Sequence, residues 1–114
     1  MMQPRMGGII HANIPDVETL FASYMPYVVG GGIFVPSKQP VKMGEEVFLL
    51  ATLPEQSIKI PLTGKVVWIS QKQNGIKPQG FGIQLAGEKG VYFKTEAERL
   101  LAGLKSEGRR SYTM

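Results

Sequence analysis

The pattern that most constrains this chain is a series of short apolar runs, each interrupted or bounded by glycine or proline. The runs Tyr27 to Pro36, Val47 to Leu53, Ile58 to Ile69 and Phe81 to Leu85 are rich in β-branched and aromatic residues. Such runs between turn residues are typical of β-strands. The sequence therefore predicts a β-rich fold in which glycine and proline mark the turns.

One of these runs has a clear two-residue alternation. Between Ile58 and Ile69 the larger apolar side chains point one way, while lysine and threonine point the other. Gly64 interrupts the run at a position where a barrel strand would bend. Asn74-Gly75 is a strong turn signal before the last strand, and Gly7 to Asn13 is predicted as the first strand. Together these features favour a small antiparallel barrel or roll.

Two segments change to helical periodicity. Asp16 is placed to cap a short helix, which Pro26 ends after about two turns. A second, amphipathic helix is predicted to begin near Thr95, which has capping-box spacing to Glu98, and to stop at Lys105-Gly108. The apolar face of this second helix consists of Phe93, Ala97, Leu100, Leu101 and Leu104.

The length of 114 residues leaves room for one domain, predicted to span residues 1–114 with its core at about 7–104. Residues 105–114 are expected to form a mobile tail. There is no cysteine, no secretory signal at Met1 to Gly8, and no run near the ~18 apolar residues that would cross a bilayer. These features predict a cytoplasmic protein without disulfides or membrane insertion.

The positive net charge of the chain does not indicate nucleic-acid binding. The net charge is +4, but the lysines are scattered, and Arg109-Arg110 is the one local cluster. A barrel that binds nucleic acid is expected to carry aromatic and basic residues together on one face of its sheet. Here Trp68 and Phe81 instead share a face of their strands with apolar residues.

The sequence shows no combination of side chains that is typical of a catalytic site. The single histidine, His11, lies in an apolar run, and Glu45-Glu46 would place its two side chains on opposite faces of a strand. Gly30-Gly31-Gly32 lacks the lysine and helix of a phosphate-binding loop. The sequence therefore predicts a protein that is not an enzyme and that holds no metal or cofactor.

Three segments in order resemble the PilZ domain family: YVVGGGIFV at 27–35, TGKVVW at 63–68 and GFGIQL at 80–85. The resemblance covers roughly Gly7 to Leu104. It implies a PilZ-type barrel, mainly β, with about six strands, a short N-terminal helix and a C-terminal amphipathic helix.

PilZ domains are best known as receptors for cyclic-di-GMP, which they bind through an RxxxR motif and a [D/N]xSxxG motif. The second motif aligns on Tyr27, Val29 and Gly32, so tyrosine replaces aspartate and valine replaces serine. The first motif is missing, since Arg5 is the only arginine before Arg99. Without these guanidinium groups, cyclic-di-GMP binding is not expected.

The runs 20–36 and 44–54 and the segment from Leu100 are similar to those of the type IV pilus PilZ proteins. That resemblance implies a monomeric adaptor that contacts the pilus assembly ATPase (PilB-like) and a degenerate GGDEF–EAL protein (FimX-like). A cyclic-di-GMP receptor, or a nucleic-acid-binding small barrel, is the alternative.

Two surfaces are candidates for partner contact. The short helix is unusually rich in aromatic residues, which favours an exposed patch, although an all-core role is the alternative. The terminal helix and tail form the second candidate. Ile33, Phe34 and Val35 are expected to pack inside the barrel. The predicted partner-binding residues are Phe21, Tyr24, Met25, Pro26, Leu101, Leu104, Tyr112 and Met114.

Overall fold

A computed structural model describes residues 9–75, 77–104, 109 and 111–113. One curled, half-barrel sheet of five strands, in the order β1-β3-β4-β5-β2, packs with two helices. β1 runs parallel to β3, and the other neighbouring pairs are antiparallel. The elements in chain order are β1 (Ile10–Asn13), α1 (Val17–Ser23), β2 (Gly32–Pro36), β3 (Glu46–Thr52), β4 (Ile60–Ser70), β5 (Gly80–Ala86) and α2 (Gly87–Leu101).

The mainly β architecture is confirmed, but the described residues form five strands where about six were predicted. The run Tyr27 to Pro36 becomes a strand only from Gly32, because Gly30 and Gly31 adopt positive φ angles of 79° and 86°. These angles suit glycine and turn the chain. Met25 and Gly32 close the turn with two backbone hydrogen bonds of 2.9 and 3.2 Å.

α1 begins as predicted, since the Asp16 carboxylate accepts a hydrogen bond from the backbone N–H of Thr19 at 2.8 Å. It ends at Ser23, before Pro26, because Tyr24 has an extended backbone and bridges Ile33. None of the helices in the described residues has the length and hydrophobicity to cross a membrane.

The predicted start of the second helix, near Thr95, is wrong: α2 begins at Gly87, directly after β5. Gly87 has a positive φ of 73°, which turns the chain from strand to helix without a capping side chain. The first turn then packs on the sheet through Gly90, which lies close to Leu85. A glycine contact contributes no apolar side chain, so helical periodicity cannot show it. The predicted stop at Lys105-Gly108 lies outside the described residues.

The main core lies on one face of the sheet. Alternate residues of β2 to β5 point into it, and α1 and α2 cover it with Leu20, Phe93 and Ala97. Ile33 and Val35 belong to this core as expected. Its strand residues are Ile33, Val35, Val47, Leu49, Ala51, Ile60, Leu62, Val66, Phe81, Ile83 and Leu85.

Phe34 is also buried, but outside this core, so its predicted place inside the barrel is wrong. Residues alternate across a strand, which turns Phe34 to the opposite face from Ile33 and Val35. There the neighbouring strand β5 offers Gly80 and Gly82 instead of large side chains. A Cβ on Gly82 would lie 2.6 Å from the sulfur of Met25 and 3.2 Å from the Cβ of Trp68. A second small apolar layer therefore covers the outer face of β5.

The described residues of the C-terminal segment, predicted to be a mobile tail, lie against α1 and this outer layer. The Tyr112 backbone N–H donates to the Ala22 carbonyl at 2.8 Å, and the Tyr112 ring centroid is 5.6 Å from that of Phe34. Arg109 forms an ion pair with Glu18 at 2.8 Å. Thr113 is only 3% exposed.

Gly64 lies where β4 and β5 approach each other closely. A Cβ added there would be 2.2 Å from the Gln84 carbonyl oxygen, which belongs to the backbone and cannot rotate away. The irregularity in the pairing of β4 with β5 falls further along, between Val66 and Trp68. Gly64 is therefore required by the contact with β5.

We predict that Gly64→Ala lowers the free energy of unfolding by about 2 kcal/mol, because the added methyl group forces two paired strands apart. Gly103→Ala is the matched control, since a Cβ there meets nothing within 4 Å. Urea denaturation followed by circular dichroism measures both variants. Equal stability of the two variants would contradict this reading of Gly64.

Candidate functional site

A groove of about 390 Å³ lies between α1 and the C-terminal end of α2. Five of the eight predicted partner-binding residues line it: Phe21, Tyr24, Pro26, Leu101 and Leu104. Its other lining residues are Tyr27, Glu98, Ala102 and Ser111. Residues from the two ends of the chain thus share one mostly apolar surface.

One polar contact lies in the wall of the groove. The Tyr24 hydroxyl donates to Oε2 of Glu98 at 2.8 Å, and the Lys94 ammonium lies 3.3 Å from the same carboxylate. The hydrogen bond from Tyr24 lowers the pKa of Glu98. Burial, together with the neighbouring carboxylate, raises the pKa of Tyr24, so its hydroxyl stays protonated at neutral pH. The contact therefore ties α1 to α2 across the groove.

The predicted residues differ in how much of each side chain a partner can reach. Tyr24 is 4% exposed, so it supports the groove more than it presents a surface. Phe21, Leu101 and Leu104 are partly exposed, and Pro26 is exposed. Among the predicted residues in the groove, these four are the ones that a partner can reach.

Three predicted residues lie outside the groove. Met25 is 1% exposed and packs over Gly82 on the outer face of the sheet. Tyr112 packs against Phe34, close to the groove wall formed by Ser111. Met114 lies outside the described residues. Met25 points away from the groove because extended neighbours in a chain point to opposite sides, and Tyr24 already faces α2.

The positions of the altered nucleotide motif lie in the turn before β2. Val29 is 82% exposed, and Tyr27 is 44% exposed with its hydroxyl bonded to Thr113. Gly32 is buried, and a Cβ there would lie 2.8 Å from the Ile83 carbonyl oxygen, so packing alone requires this glycine. The two replaced positions present a tyrosine whose hydroxyl is bonded to Thr113 and an aliphatic side chain with no hydrogen-bonding group.

The arginines in the described residues are engaged elsewhere. Arg99 pairs with Glu96 at 2.8 Å, which raises the pKa of Arg99, and Arg109 pairs with Glu18. Within the described ranges no cluster of histidine and acidic side chains has the arrangement of a metal site. His11 is exposed on the edge strand β1.

Sequence reasoning missed two groove residues that carried a signal. Glu98 precedes Leu101 by three positions and Ala102 by four, so these residues share one face of a helix. Tyr27 belongs to the aromatic patch at the short helix as well as to the altered motif, but it is not among the predicted partner-binding residues, although it directly follows Pro26. Ser111 gave no signal, because only the folding back of the C-terminal segment brings it to the groove.

Comparison with known proteins gives a family match over most of the chain. The model of the PilZ domain family matches residues 3–103, and this chain belongs to that family. PilZ domains are generally non-catalytic binding domains. The comparison with curated proteins gives no significant match.

We predict that Tyr24→Phe lowers the free energy of unfolding by about 1 kcal/mol at pH 7, because Glu98 loses the shorter of its hydrogen bonds and keeps the one from Lys94. The pKa of Glu98 then rises toward its ordinary value. A carboxyl group whose pKa is lower in the folded state than in the unfolded state stabilises the fold at any pH above its unfolded-state pKa. This stabilisation is lost as the pH falls through the folded-state pKa. The stability difference should therefore shrink as the pH falls below the ordinary pKa range of glutamate.

Urea denaturation over this pH range and an NMR titration of the Glu98 carboxyl group measure the two effects. Tyr92→Phe is the control, since Tyr92 lies on the same helix with 48% of its surface exposed. A Tyr24→Phe variant that loses no more stability than Tyr92→Phe would contradict a stabilising role for this hydrogen bond.

Proposed function

We propose that this PilZ domain is a non-enzymatic adaptor that binds other proteins through the groove between α1 and α2 and does not bind cyclic-di-GMP itself. The observation that carries the proposal is the groove, which gathers Phe21, Pro26, Leu101 and Leu104 as partly or fully exposed apolar side chains. Such side chains in a concave site are typical anchors of protein interfaces.

The charge at the groove favours a protein over a nucleotide. Among the described residues, its lining contains one carboxylate, that of Glu98, whose pKa is lowered, and no lysine or arginine. A ligand with two phosphates would find no cationic side chain in this lining, and the neighbouring Lys94 ammonium is already paired with Glu98 at 3.3 Å. A peptide segment with apolar side chains and a basic group meets a complementary surface.

The altered motif supports the same assignment. Tyr27 and Val29 stand where the nucleotide-binding members carry aspartate and serine, and Arg99 and Arg109 are held in ion pairs on the surface. The domain would therefore transmit a second-messenger signal through partners that sense it.

The partners in this proposal follow from the resemblance to the type IV pilus subgroup. They are a PilB-like pilus assembly ATPase and a FimX-like degenerate GGDEF–EAL protein, which the domain would link in the cytoplasm as a monomer. The role would be in pilus extension and twitching motility.

We predict that Phe21→Asp and Leu104→Asp each weaken binding of a purified PilB-like ATPase by about 30-fold or more, because each places a charge in an apolar interface. Phe48→Asp is the matched control, since Phe48 is 50% exposed on β3, outside the groove. Isothermal titration calorimetry measures the affinities, and thermal melts confirm folding of each variant. Unchanged binding by both groove variants would refute the groove as the ATPase site.

We further predict that cyclic-di-GMP gives no saturable heat with the wild-type chain at up to about 100 μM. The physical reason is the absence of arginine, aspartate and serine from the turn at Tyr27–Gly32. A nucleotide-binding PilZ domain titrated in the same buffer is the positive control. Saturable micromolar binding would reverse the proposal in favour of a receptor.

A further inference from the structure

The sheet has an opening between its two edge strands, here called the seam. β1 and β2 stand at opposite ends of the strand order, and residues from both line one pocket of about 210 Å³. From β1 and its end come His11, Ala12, Asn13 and Ile14, and from β2 come Phe34, Val35 and Pro36. Thr19 and Ser23 of α1 complete the lining. The groove and the seam share none of their lining residues.

The backbone of β1 offers hydrogen-bonding groups to the seam. His11 is opposite Leu50 and Asn13 is opposite Thr52, and the Ile14 N–H donates to the Thr52 carbonyl at 2.9 Å. In a parallel ladder, alternate residues bond the neighbouring strand, so Ile10, Ala12 and Ile14 bond β3. The N–H and C=O groups of His11 and Asn13 therefore point away from β3, toward the seam.

The backbone of β2 does the same from the other side. Leu85 donates to the Gly31 carbonyl and Ser37 donates to the Gln79 carbonyl, both at 3.0 Å, so the odd-numbered residues of β2 bond β5. Phe34 then directs its N–H and C=O outward. These groups make no hydrogen bond within the described part of the chain, although Phe34 is only 2% exposed.

A buried side chain in the seam also has an unused hydrogen-bonding group. Ser23 is 3% exposed, lines the seam, and makes no side-chain hydrogen bond to any described residue. A buried hydroxyl without a partner is unfavourable, because the water it loses on burial is not replaced by another hydrogen bond. The seam therefore brings together backbone N–H and C=O groups of β1 and β2 and the Ser23 hydroxyl. Such a set indicates a site for a ligand that forms hydrogen bonds.

We propose that the seam receives an extended peptide segment of a partner protein, which pairs with the outer edge of β1 as an added strand. An extended backbone carries alternating N–H and C=O groups, which match those of His11 and Asn13. The lining contains no lysine, arginine, aspartate or glutamate, so recognition depends on the main chain and on small, uncharged side chains.

The test compares His11→Pro with His11→Ala. Both substitutions remove the imidazole, but only proline removes the outward N–H, and proline is tolerated at an edge strand when its N–H would face away from the sheet. Random heptapeptides displayed on phage are selected against the full chain, and the strongest binders are synthesised as free peptides. Their affinities for the wild-type chain and for both variants are then measured by calorimetry.

We expect the selected peptides to bind His11→Pro about tenfold more weakly than wild type, because one hydrogen bond is lost and a peptide carbonyl is left unpaired. Binding to His11→Ala should be within about twofold of wild type, and rising salt should change the affinity little, since the lining is uncharged. On the wild-type chain, peptide binding should slow amide hydrogen exchange at His11, Asn13 and Phe34.

Several outcomes would overturn the proposal. These are recovery of no binding peptide, equal affinity for His11→Pro and wild type, and amide protection at Phe21 and Leu101 instead of the seam. A concentration-dependent dimer that protects the seam amides without peptide would assign the seam to a second copy of the chain. The exchange measurement uses the wild-type chain, so it decides the question even if His11→Pro does not fold.

Discussion

Two backbone hydrogen bonds between Met25 and Gly32 hold the turn on which both surfaces of the domain depend. They require the left-handed backbone of Gly30 and Gly31, and they end α1 at Ser23 by drawing Tyr24 into a bridge with Ile33. On one side, the turn places Pro26 and Tyr27 in the groove. On the other side, it occupies the edge of β2 only at Gly32 and leaves the edge at Phe34 open. Loss of this turn would thus disturb both surfaces together.

Much of the sheet could be predicted because a two-residue alternation survives in β4 and β5, where one face is core. The start of α2 could not be predicted, since its first turn packs through Gly90 and Gly87 sets its direction without a cap. Phe34 was misplaced for a related reason. A run of consecutive apolar residues shows that both faces of a strand are covered, but it does not show which residue faces which layer.

The groove was predictable in part. Phe21 could be found because the short helix is unusually rich in aromatic residues, and Leu101 and Leu104 because they belong to the predicted apolar face of the second helix. The family match over residues 3–103 supports the fold that brings the two helices together. Met25 stood out for the same reason, yet it fills space above Gly82. The seam gave no signal at all, because unused backbone groups depend on strand order and register, which no single stretch of sequence contains.

The contacts between α1 and the C-terminal segment have a consequence for how the chain folds. Arg109 and Glu18 are separated by 91 positions, and Tyr112 reaches back to Ala22. Closing such long loops costs chain entropy before the contacts form, which slows folding. During synthesis, α1 gains these partners only after the strands and α2 have been made. The outer layer at Phe34 therefore stays uncovered until late in synthesis, and in that interval it is the surface most open to a chaperone or to aggregation.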